Sequence, residues 1–130
     1  MKINEVNSNY IFLLTIFSSF YKNEWIYLLL SISIFIASYF YHLMKFKTQY
    51  SSSIKILRYL DVAVAIASYL YMSYFVYKYC EQYKNVLYLL LITTIAIYIL
   101  GKTKFGIKKN IHTYFHIAIG LVSSIIVILK

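Results

Sequence analysis

Three histidines and one aspartate, the chain's full complement of both types, fall inside stretches that carry almost no other charge: His42, Asp61, His112 and His116. His112 and His116 are four residues apart, so on a helix they share one face and can bind one ion. With His42 they make three neutral imidazoles, a ligand set that leaves a fourth position open, as catalytic zinc sites do. Ser38 lies four residues before His42, on the same helical face and one turn deeper. The spacing therefore points to a Zn²⁺ site with His42, His112 and His116 as metal ligands and with Asp61 and Ser38 beside them. Two other readings stay open. Asp61 and Arg58, three residues apart, can pair as a structural ion pair on one helix face, and two facing histidines can hold haem, which leaves Asp61 without a role. An ionisable group inside a membrane segment is costly and by default marks function.

The elements that must position these residues are apolar helices. Hydrophobic residues make up 62% of the 130 positions and charged residues 13%, more apolar surface than a soluble domain of this size can hide. No charge occurs in Trp25–Met44, Val86–Gly101 or Ile111–Leu129, and about 20 apolar residues suffice to span a bilayer. There is no proline, and glycine occurs three times. The expected fold is all-α: a polytopic transmembrane bundle of four to five spans forming one domain over 1–130. Five apolar segments are read. Tyr10–Tyr21 is short, and either crosses, lies in the interface or re-enters. Trp25–Met44, Ile54–Tyr77, Val86–Leu100 and Ile111–Leu129 follow, with links short enough to make neighbours antiparallel.

The net charge of +9 does not indicate nucleic acid, because the lysines sit between apolar segments instead of along one face. Lys45, Lys47, Lys55 and Arg58 border one link, and Lys102, Lys104, Lys108 and Lys109 another. The opposite side carries Lys22, Lys78 and Lys84, offset by Glu24 and Glu81. This asymmetry predicts that the loops at 45–53 and 101–109 are cytoplasmic. If the first segment crosses, residues before it are cytoplasmic as well. The start of the chain does not read as a signal peptide, and the single cysteine, Cys80, excludes an internal disulfide. Counted from the segment ends at about 1.5 Å per residue, His42, Asp61, His112 and His116 all lie within about 10 Å of one membrane face.

Ser38-Tyr-Phe-Tyr-His42 resembles the S-x-x-x-H motif of the CREST superfamily of membrane hydrolases, which includes alkaline ceramidases and the progestin and adipoQ receptor family. Tyr59-Leu60-Asp61 resembles its L-D motif, and His112-Thr-Tyr-Phe-His116 its H-x-x-x-H motif, with Gly120 following as in ceramidases. The resemblance implies zinc held by the three histidines, Asp61 holding or deprotonating a water there, and Ser38 supporting the site by hydrogen bonding. Known members typically have seven helices. Here the stretch from Asp61 to His112 has room for one further span where the family usually has three, so the chain would be a shortened form.

The function expected is metal-dependent hydrolysis of a lipid amide or ester drawn from the bilayer, with a membrane lipid as partner and no nucleic acid. The alternative is a non-catalytic small membrane protein: a channel-forming or accessory subunit, or a decayed relative of the hydrolases.

Overall fold

The structure, a computed structural model, describes residues 4–47 and 52–130. A 3₁₀ turn at Asn7–Ile11 leads into α1 (Phe12–Tyr21). Then come α2 (Trp25–Lys47) and α3 (Ser52–Tyr79). After a second 3₁₀ turn at Glu81–Tyr83 follow α4 (Lys84–Gly101), the short α5 (Lys104–Lys108) and α6 (Ile111–Ile128). No strand occurs among the described residues. Among the described residues, four helices are long and apolar enough to cross a membrane: α2, α3, α4 with its preceding turn, and α6. The expected helical membrane bundle is what the chain forms. Residues 48–51 of the predicted loop at 45–53 lie outside the described residues.

The helices are uninterrupted because nothing inside them breaks the hydrogen-bond ladder. Ser18, Ser19, Ser31, Ser33, Ser73 and Thr93 each donate to the carbonyl four residues earlier, which satisfies their hydroxyls within their own helix. Two turns use asparagine where φ is positive: Asn23 at 58° between α1 and α2, and Asn110 at 57° before α6. Asparagine tolerates this left-handed conformation better than other side chains with a Cβ.

α6 is the central helix. Half of its apolar span is buried (50%), against 17% for α3 and 22% for α2 and α4. α2 packs chiefly on α3, α4 on α6, and α1 on both α2 and α6. The seams carry polar contacts as well as apolar ones. Thr15 Oγ1 lies 3.0 Å from Ser124 Oγ and donates to Gly120 O at 3.2 Å. Tyr27 Oη donates to Ser123 O at 3.0 Å, and Tyr88 Oη to Ser73 O at 3.1 Å. Contacts of this kind are worth about 0.6 kcal/mol each in a membrane, so close packing carries most of the association. Large apolar side chains such as Phe17, Leu29, Leu70 and Leu89 face outward, as lipid contact permits.

The segment whose path the sequence left open runs alongside α6. Ser8 meets His116 near the start of α6, Thr15 meets Ser124 midway, and Glu24 pairs with Lys130 beyond its end. The 3₁₀ turn and α1 therefore run parallel to α6, over about 21 Å at 1.5 Å per residue. The close approach needs Gly120, where a Cβ would meet Ile11 Cγ2 at 2.5 Å.

α5 sets where α6 begins. Thr103 caps it, accepting from Gly106 N at 3.0 Å and donating to Leu100 O at 2.6 Å. A Cβ on Gly106 would overlap the Leu100 carbonyl oxygen and stand 2.7 Å from Gly101 Cα. Gly101 in turn lies against His112, whose backbone N would be 3.2 Å from a Cβ there. Two glycines thus fold the link tightly enough to bring the first turn of α6 beside the last turn of α4.

Candidate metal centre

Each histidine comes from a helix end that the packing brings to one end of the bundle. His42 is five residues before the end of α2, and His112 and His116 occupy the first two turns of α6. His42 and His116 are buried, and His112 is partly so. Ring centroids are 5.2 Å apart for His42–His112, 4.9 Å for His42–His116 and 4.6 Å for His112–His116. One ring nitrogen from each histidine lies within 4.8 Å of the other two. A buried trio that could hold a metal ion is therefore present, made of the residues that spacing singled out.

The state of the nitrogens fits a metal. Both ring nitrogens of His42 and Nδ1 of His112 are buried and have no hydrogen-bond partner among the described residues, although His42 Nδ1 has a carboxylate close by. An orphaned buried nitrogen is costly, and His42 Nε2 and His112 Nδ1 beside a third imidazole form a donor set that a bound cation would satisfy. Phe12, Tyr41, Tyr98 and Phe115 pack against the three rings.

Asp61 and Ser38 join them. Both line one cavity with the three histidines. Ser38 is buried, and Asp61 lies across the cavity from it, near enough to His42 for the two groups to interact electrostatically. Asp61 is nine residues into α3, partly buried. The alternative partner of Asp61 is not engaged: among the described residues, no ion pair joins Asp61 to Arg58.

The cavity holds about 570 Å³, within the range of small-molecule sites. It runs between the α2–α3 pair and the α4–α6 pair. Along α2 it extends from Lys45 to Tyr27, roughly 27 Å at 1.5 Å per residue. Ile34, Met72, Phe115 and Ile119 line its apolar part, and Lys45, Arg58 and Lys102 its wall at the histidine end.

Two residues at this end were not singled out by the sequence. Glu5 reads there as a solvated residue before the first segment. Its Oε2 lies 3.0 Å from His42 Nδ1 and 3.4 Å from Lys45 Nζ. The ring N–H does not point straight along the first of these approaches, so it is a close charge contact and not a well-aligned hydrogen bond. Contact with His42, and then the Lys45 ammonium, outweigh partial burial and lower the Glu5 pKa to about 2. Ser8 is buried, with Oγ 2.8 Å from His116 Nδ1. No spacing rule links positions this far apart in the chain.

Comparison with family models, with curated proteins and with solved structures found no match for this chain.

Proposed function

We propose that this protein is a zinc-dependent intramembrane hydrolase that cleaves a lipid amide or ester, in the manner of a ceramidase. The observation that carries the reading is the meeting of His42, His112 and His116 with Asp61 and Ser38 at one end of a long, largely apolar cavity. The three short motifs that resemble those of the CREST superfamily support it.

His42, His112 and His116 would hold the ion. Zinc supplies a Lewis acid that makes water nucleophilic near neutral pH. Asp61 serves as the general base: it takes a proton from the attacking water and returns it to the leaving nitrogen or oxygen. The water oxygen ends on the acyl carbon, the C–N or C–O bond breaks, and no other reactant is needed. Ser38, which lines the same cavity, would orient the carboxylate by hydrogen bonding. Ile34, Met72, Phe115 and Ile119 offer the acyl chain an apolar path, while Lys45, Arg58 and Lys102 suit the head-group end. The lysine asymmetry assigns that end, with the loops at 45–53 and 101–109, to the cytoplasmic side.

The test is hydrolysis by protein purified into lipid nanodiscs, offered ceramides, phospholipids and acylglycerols, with released fatty acid measured. Wild type should cleave at least one class, and Asp61→Asn should cleave it roughly 10²–10⁴-fold more slowly. No release from any class overturns the reading and leaves a non-catalytic membrane protein, for which ion flux in liposomes is the next assay.

A further inference from the structure

We infer that Glu5 and Ser8, which precede the first helix, are positioning residues that orient His42 and His116 so that both rings present Nε2 to the metal. The inference rests on the metal-site reading above and adds the part of the chain that sets the histidine tautomers.

A neutral imidazole carries its proton on one nitrogen and a lone pair on the other, and only the latter can bind a metal. Which nitrogen is free depends on what the other one meets. Ser8 decides this for His116. Its Oγ donates its single proton to the Glu5 carbonyl at 3.1 Å, so the same oxygen can only accept at its 2.8 Å contact with His116 Nδ1. Nδ1 must then carry the ring proton and Nε2 the lone pair.

Glu5 does the same for His42. A carboxylate has no proton to give, so at 3.0 Å from Nδ1 it favours the ring with hydrogen on that nitrogen. The effect is one of charge and not of an aligned hydrogen bond, and it leaves the lone pair on Nε2, which is buried with neither a carboxylate nor a hydrogen-bond partner. The two residues are coupled, because Ser8 bonds the backbone of Glu5. Asn9, fully buried, ties the same turn by donating from Nδ2 to the Glu5 carbonyl at 2.8 Å. Ile11 against Gly120 fixes the distance of this segment from α6. One turn of chain thereby addresses ligands on two different helices. A carboxylate or hydroxyl behind a metal-binding histidine raises its basicity and holds its ring in place, and losing such a partner typically weakens metal binding about 10–100-fold.

The experiment uses full-length protein in nanodiscs and two readouts that need no substrate. The first is zinc affinity by competition with a chromogenic chelator, and the second is the ¹⁵N spectrum of the histidine rings in metal-free protein. Ser8→Ala and Glu5→Ala should each weaken zinc binding about 10–100-fold, while Ser8→Thr, which keeps the hydroxyl, should restore it. Wild type should show His116 protonated at Nδ1, and Ser8→Ala should lose that preference. Glu5→Ala remains informative if Ser8→Ala fails to fold, since Glu5 is only partly buried. Wild-type affinity in both alanine variants would overturn this inference and leave the metal site standing. Failure of the wild type to bind zinc at all would overturn both.

Discussion

The Ser8 hydroxyl and Nδ1 of His116 stand 2.8 Å apart although 108 positions separate them. The contact joins the segment before α1 to α6 at the metal end, as Glu24 and Lys130 join α1 and α6 at the other. His116 therefore has two jobs, one at the candidate metal centre and one in the packing of the bundle. His112 packs against Tyr98, but its Nδ1 has no hydrogen-bond partner among the described residues.

Replacing these two histidines should separate the jobs. His112→Ala and His116→Ala should both lose metal. In metal-free protein, His116→Ala should also cost about 1–3 kcal/mol of stability, because it removes the hydrogen bond with the Ser8 hydroxyl and empties a buried site. His112→Ala should cost less. Thermal melts of both variants in chelator test this, and equal melting temperatures would contradict it.

Asp61 should be separable from the metal ligands. Asp61→Asn keeps the shape of the side chain and removes the base, so zinc should stay bound while turnover falls roughly 10²–10⁴-fold. Because Arg58 makes no ion pair with Asp61 among the described residues, Arg58→Ala should change stability by less than about 0.5 kcal/mol. A fully active, zinc-loaded Asp61→Asn protein would remove Asp61 from the mechanism.

The glycines of the bundle should not be equivalent. At Gly106 a methyl group would run into the backbone of Leu100 and Gly101, which has nowhere to go, whereas at Gly120 it would meet only the Ile11 side chain, which moves away if the segment before α1 shifts outward. Gly106→Ala should cost about 1–3 kcal/mol and, by shifting the start of α6, weaken metal binding. Gly120→Ala should cost less. The order is read from melting temperatures and zinc titrations of the two variants.

Orientation follows from the charge count. In a Cys80→Ser background, single cysteines at Lys47 and Lys104 should be shielded from a membrane-impermeant thiol reagent in intact cells and labelled after permeabilisation. Labelling of both from outside would reverse the topology. Labelling of only one would contradict the bundle, which brings the C-terminal turns of α2 beside the first turns of α6.

Much of this was readable because lipid imposes simple rules. Apolar runs without charge had to be spanning helices, and they are α2, α4 and α6. α3 was legible despite Lys55, Arg58 and Asp61, because the rest of it is apolar. The spacing of His112 and His116 and the shared depth of His42 pointed to one end of the bundle, where the rings do meet. The path of the first segment was not readable, since the twelve residues from Tyr10 to Tyr21, three of them serine or threonine, are too few to announce a span. Its place depends on Gly120 and on hydroxyls at Thr15 and Ser124 that hydropathy ignores. Glu5 was illegible for a different reason. A carboxylate outside an apolar run is normally solvated, and only the fold shows that it returns to His42. The helices also outrun their apolar cores, with α2 continuing to Lys47 and α3 starting at Ser52, because charged residues can extend a helix past the hydrocarbon.

The central claim is that His42, His112 and His116 hold one zinc ion. Elemental analysis of protein purified without chelator tests it most directly, beside a variant in which all three histidines are alanine. The account predicts about one zinc per chain in the wild type and none in the variant. Chelator should lower the wild-type melting temperature, since ligand at 100 times its Kd adds about 2.7 kcal/mol to stability. Wild-type protein without zinc, whose melting temperature is also unmoved by added zinc, would contradict it.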